Sequence, residues 1–136
     1  MLADVYTPVG IYLRLRDRFR DTILLESTDN HAAENSWSFI GVNAIAGVEI
    51  ITGETIETKL PGKTAQKFEL NEDQKVIDVL TSFMQQFDVQ KAKEKEARHA
   101  QGLFGYTTYD AIQFFETIPA AHFKNTANDI PLMRYR

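Results

Sequence analysis

Ala46-Gly47-Val48-Glu49-Ile50-Ile51-Thr52-Gly53-Glu54-Thr55-Ile56-Glu57-Thr58-Lys59-Leu60-Pro61-Gly62 is the stretch whose pattern sets the fold class. A short apolar run, Ala46 to Ile51, meets the turn signal Thr52-Gly53-Glu54, and in Thr55 to Leu60 apolar and polar residues then alternate. Period-two alternation suits a half-buried strand, and so short a turn returns it antiparallel to the strand before; Pro61-Gly62 stops it. Towards the N-terminus, Trp37-Ser38-Phe39-Ile40-Gly41-Val42, Thr22 to Ser27 and Ile11 to Leu15 are β-branched and Leu-rich and too short for helices. They read as strands, with polar Arg16 to Asp21 between the last two and a loop over Thr28 to Ser36. The first half is expected to be antiparallel β.

The period changes in the second half. Val76, Ile77, Leu80, Phe83, Met84 and Phe87 lie along one helical stripe, and Asn71 before acidic Glu72 and Asp73 marks the expected helix start. That stripe is core packing by its spacing. Lys91 to Arg98 carries mixed charge with no apolar face and reads as a solvated loop or helix extension. Ala111 to Glu116 can wind into a short helix bounded by Pro119, and Ile130 to Arg136 is strand-like without the polar fading of a finished terminus. The expected architecture is α+β, an antiparallel β-sheet packed with helices on one face, forming a partial domain of a larger chain over residues 1–136.

Composition narrows the function. The chain has 136 residues, enough for one domain, and 43% apolar with 11% aromatic residues is enough to build a core without disulfides. Fifteen basic against 19 acidic side chains give a net charge of −4 and no footprint for a polyanion, so nucleic acid is not expected as a partner. The absence of Cys excludes disulfides, thiolate zinc sites and a thiol nucleophile. No apolar run approaches the ~20 residues of a membrane span, and the opening Met1-Leu2-Ala3-Asp4 has no signal-peptide pattern, so no membrane partner is expected and the location reads as cytoplasmic.

Catalytic motifs are not legible. His31, His99 and His122 lack the close spacings of metal sites, and neither a phosphate-binding glycine loop nor a nucleophile elbow occurs. Carboxylates abound, but a sequence does not show which two converge.

Three motifs in order carry more information. The first is Thr7-Pro8-Val9 with Tyr12-Leu13-Arg14-Leu15, followed by Leu24-Leu25-Glu26-Ser27. The second is Trp37-Ser38-Phe39-Ile40-Gly41, and the third is Gly102-Leu103-Phe104-Gly105-Tyr106 with Tyr109-Asp110 and Glu116. Together they resemble the N-terminal domain of anthranilate synthase component I, a chorismate-utilising enzyme of tryptophan biosynthesis. The resemblance implies a parent lyase that adds ammonia to chorismate and eliminates pyruvate to give anthranilate. It further implies that the Mg²⁺ ligands and acid–base groups lie in an absent C-terminal chorismate-binding domain, that a glutamine amidotransferase supplies ammonia, and that this segment holds no catalytic residue, metal or cofactor of its own.

Leu24, Leu25, Glu26 and Ser27 look like the family's tryptophan-feedback motif. Glu26 can pair with an effector ammonium, Ser27 can hydrogen-bond its polar end and the leucines can border an indole. On a regular strand Glu26 and Ser27 face opposite ways, so one ligand meets both only where the strand ends or bulges, or if one acts through its backbone. Many members place a basic residue before the aromatic of the second motif, where this chain has Ser36. Tyr106, Tyr109 and Asp110 are candidates for a domain interface, though the same glycines and tyrosines also suit plain core packing. Separated from a partner domain, the segment is expected to expose apolar surface and self-associate. Two other readings stay open: the corresponding segment of aminodeoxychorismate synthase component I, and a stand-alone binding domain.

Overall fold

Thr7 and Pro8 open the first element of the computed structural model, which describes residues 6–27, 37–117 and 130–136. Helix α1, Pro8–Arg16, includes Ile11 to Leu15, so the strand expected there is corrected to a helix. The deciding signal is the start. Thr7 caps it, its Oγ1 accepting from the Gly10 amide at 3.0 Å, Pro8 occupies the first turn where a missing N–H costs nothing, and Arg14 and Arg16 sit in the last turn against the dipole. Half-buried Pro8, Tyr12 and Leu15 fall at i, i+4 and i+7, a helical stripe that outweighs the β-branched content of a short window. Strands β1, Ile23–Ser27, and β2, Trp37–Gly41, pair antiparallel in a two-stranded sheet against which α1 packs. Asn43, with φ of 52°, donates its amide to the Arg20 carbonyl at 2.9 Å and ties the end of the pair to the loop after α1.

These elements lie in one compact unit, Met1–Ala44, and the others in a second, Ile45–Arg136. The second holds a five-stranded antiparallel sheet whose strands run in the order Gln66–Glu69, Thr55–Lys59, Gly47–Ile50, Met133–Tyr135 and Gly105–Thr107, and with the helices the two antiparallel sheets make the α+β class expected. Strands β3, Gly47–Ile50, and β4, Thr55–Lys59, are the hairpin predicted from the alternation, with Ile50 opposite Ile56. The Leu60-Pro61-Gly62-Lys63 turn closes with the Lys63 amide on the Leu60 carbonyl at 3.0 Å; Gly62, at φ of 71°, supplies the left-handed residue that a proline-led turn needs. Strand β5, Gln66–Glu69, follows on the exposed edge.

Strand β7, Met133–Tyr135, inserts between β3 and β6, Gly105–Thr107, as the strand-like terminus predicted. Gly105 makes that insertion possible. A Cβ there would lie 1.8 Å from the Arg134 carbonyl oxygen, so no side chain fits between the two backbones.

Helix α2, Val76–Met84, carries the predicted stripe, and Val76 and Phe83 bury against Val48, Ile50, Ile56, Ala111 and Met133. Its start is later than expected. Asn71 is used in a turn whose carbonyl accepts the Gln74 amide at 2.9 Å, and Lys75 is the N-cap. Phe87 lies beyond the helix yet meets Phe83 edge-on, with ring centroids 5.2 Å apart. The charged run contains a short exposed helix α3, Lys95–His99, and Ala111 to Glu116 falls largely in a 3-10 helix, Tyr109–Phe114. The loop expected over Thr28 to Ser36, the Pro119 boundary, the opening Met1 to Asp4, and His31 and His122 lie outside the described residues. No helix among the described residues is long and apolar enough to cross a membrane.

Candidate functional site

The register of β1 and β2 places each residue of the Leu24 to Ser27 motif. Leu24 lies opposite Ile40, Leu25 opposite Phe39, Glu26 opposite Ser38 and Ser27 opposite Trp37. Pairing is unbroken by a bulge, so alternation puts Leu24, Ile40, Glu26 and Ser38 on one face and Leu25, Phe39, Ser27 and Trp37 on the other. The four motif residues are therefore two pairs, not one cluster. Glu26 and Ser27 do stand at the end of the strand, where exposure rises along it: Ile23 to Leu25 are half-buried and Glu26 and Ser27 are exposed.

The Ser38 hydroxyl donates to Glu26 Oε1 at 3.2 Å, a long bond across an exposed strand pair. Among the described residues Glu26 meets that hydroxyl and no cation. Ser38 was legible only as part of a motif; its partnership with Glu26 needed the register. Ser36, which replaces the expected basic residue, lies outside the described residues.

The second unit holds the opposite case. Glu49 is the one buried charged residue among those described, and Arg134 of β7 and Arg136 just after that strand close on it. Arg134 Nε lies 3.0 Å from Glu49 Oε1 and its Nη2 donates to Oε2 at 3.3 Å, while Arg136 Nη2 donates to Oε1. A carboxylate in a strand buried along its whole length is tolerable only when ionic hydrogen bonds replace its water. Sequence reasoning passed over this triad. Its trace is a lone Glu inside an apolar run and two arginines alternating with Met133 and Tyr135 over the last four residues of the sequence.

Tyr106, Tyr109 and Asp110 come from β6 and the 3-10 helix. The packing reading of the tyrosines is corrected: Tyr106 is 37% and Tyr109 84% exposed, and it is Ala111 that enters the core. Gly105 does serve close strand packing, as expected of a glycine in this motif. Among the described residues no group of three or more His, Asp or Glu side chains is placed to hold a metal ion.

What the residues build, then, is a small α+β scaffold whose first unit displays a strand end bearing, among the described residues, one carboxylate that meets no cation, two hydroxyls and apolar neighbours. Comparison with known proteins gives that class a context. Anthranilate synthase component 1 of Aquifex aeolicus is 31% identical over 120 residues, 87% of this chain and 23% of that protein. The Thermus thermophilus protein of the same name is 26% identical over 125 residues, 88% of the chain and 23% of its own length. That of Neisseria gonorrhoeae is 29% identical over 132 residues, 97% and 25% respectively. The chain thus spans about a quarter of the length of these relatives, and it is similar to the anthranilate synthase component 1 family over most of its own residues, as its three motifs imply. No family model and no solved structure matches it.

Proposed function

We propose that the chain acts as the N-terminal regulatory segment of an anthranilate synthase component I and carries its feedback site for L-tryptophan. The observation that carries this is the coverage: relatives of that name match 87–97% of this chain with about a quarter of their length, and the match includes a strand end suited to an amino acid. Glu26 supplies a charge-assisted contact to the effector ammonium, with Leu24 beside it on the same face. Ser27 and Leu25 reach the ligand from the other side of the strand end, Ser27 through its hydroxyl or backbone. In this reading the chorismate-binding domain of the same subunit holds the Mg²⁺ and the acid–base groups, the glutamine amidotransferase delivers ammonia, and the segment alone is inactive. Tyr106, Tyr109 and Asp110 belong to its contact with those partners, Tyr109 being almost fully solvated in the isolated chain. The enzyme is cytoplasmic.

Feedback follows from differential binding. An effector that prefers the inactive state lowers turnover only by its difference in affinity between two states. The test is the L-tryptophan inhibition curve of the complete subunit, each variant normalised to its own uninhibited rate. Glu26→Gln and Ser27→Phe should each shift it by ~1–3 kcal/mol of effector affinity, roughly five- to a hundredfold. Unchanged curves for both would return Leu24 to Ser27 to an ordinary core-strand role.

A further inference from the structure

Two strand glutamates have opposite surroundings, one at an exposed strand end and one in a buried central strand. Glu49 is neutralised by Arg134 and Arg136 and has nothing left to offer a ligand. Glu26 is exposed, has no cation among the described residues, and has one oxygen held by the Ser38 hydroxyl. Resting on the tryptophan-site reading above, we propose that Ser38 is the positioning residue of that site and that the effector's ammonium is read on the Glu26–Ser38 face.

The register supplies the reason. Directly opposed residues on neighbouring strands share a face, so Ser38 is the side chain of β2 placed to fix the Glu26 carboxylate. By donating to Oε1 it leaves Oε2 to accept from an ammonium and sets the plane of the carboxylate before the ligand arrives. That saves ordering a flexible Glu on binding. The next pair on the same face, Leu24 and Ile40, lies one step further along the strands and offers aliphatic surface to the body of the ligand. The face therefore selects a primary ammonium attached to an apolar group, and Ser38 acts on the ammonium end only. Trp37, on the other face opposite Ser27, takes no part in that selection.

The test is the ratio of affinities of the complete subunit for L-tryptophan and for indole-3-propionate, which keeps the indole and carboxylate but lacks the ammonium. Ser38→Ala should weaken L-tryptophan about five- to tenfold while indole-3-propionate changes less than twofold, and Ser38→Thr, which keeps the hydroxyl on a strand-compatible side chain, should restore the ratio. Equal weakening of both ligands, or no change in either, overturns the role of Ser38 while Glu26→Gln still tests the effector site itself. A wild-type subunit that binds no L-tryptophan overturns that site and this proposal together.

Discussion

In the unit Ile45–Arg136, Val48, Ile50, Ile56, Phe83, Ala111 and Met133 are almost wholly removed from water, whereas in Met1–Ala44 no described residue is. The second unit has a core in the ordinary sense: a five-stranded sheet, a helix whose Phe83 packs into it, and an ion-pair triad that fastens its last strand. The first unit rests on a capped helix and a two-stranded sheet of half-buried residues, a combination that is marginal without further support. Ligand-responsive elements are drawn from such low-stability regions, because a segment that opens readily is one whose population a ligand can shift. The region proposed to bind the effector is the one whose described residues are buried least deeply.

That contrast is open to direct challenge. The largest effect belongs to Phe83→Ala, which should cost about 3–5 kcal/mol by opening a cavity in the second unit. A urea titration followed by far-UV circular dichroism should show it, and a loss below about 1 kcal/mol would mean that the sheet and helix are not one cooperative core. Glu49→Ala comes next, at about 2 kcal/mol. Removing one member of a buried pair costs more than that when the others are sealed in, but Arg134 is 46% exposed and can turn to water, which lowers the penalty. Amide exchange of β7 should quicken in this variant more than that of β4. The smallest effect is Thr7→Ala, about 1 kcal/mol through loss of the cap on α1. The single tryptophan, Trp37, lies in the first unit, so its fluorescence in urea should report this change while the circular dichroism transition stays in place.

The sequence yielded what is local. The Thr52-Gly53-Glu54 turn joins neighbouring strands, and the stripe from Val76 to Phe83 is repeated within one helix, so both could be read from spacing. Ile11 to Leu15 has strand-like content in a window shorter than two helical turns, and the signal that makes it a helix, the Thr7-Pro8 start, lies just upstream of that window. The pairing of Ile50 with Met133 could not be read, since nothing in a strand says which distant strand lies beside it. At the candidate site, Glu26 and Ser27 were visible through motif resemblance. Their separation onto two faces follows from alternation alone, but Ser38 as the partner of Glu26 required the register.

The most direct test of the central claim, that the weakly buried unit is the effector-responsive one, is amide hydrogen exchange of the complete subunit with and without L-tryptophan. The ligand should slow exchange in Ile23–Ser27 and Trp37–Gly41 severalfold and leave Gly47–Ile50 and Thr55–Lys59, already protected by their own core, unchanged. Protection confined to the second unit, or absent from both strand pairs at saturating L-tryptophan, would contradict it.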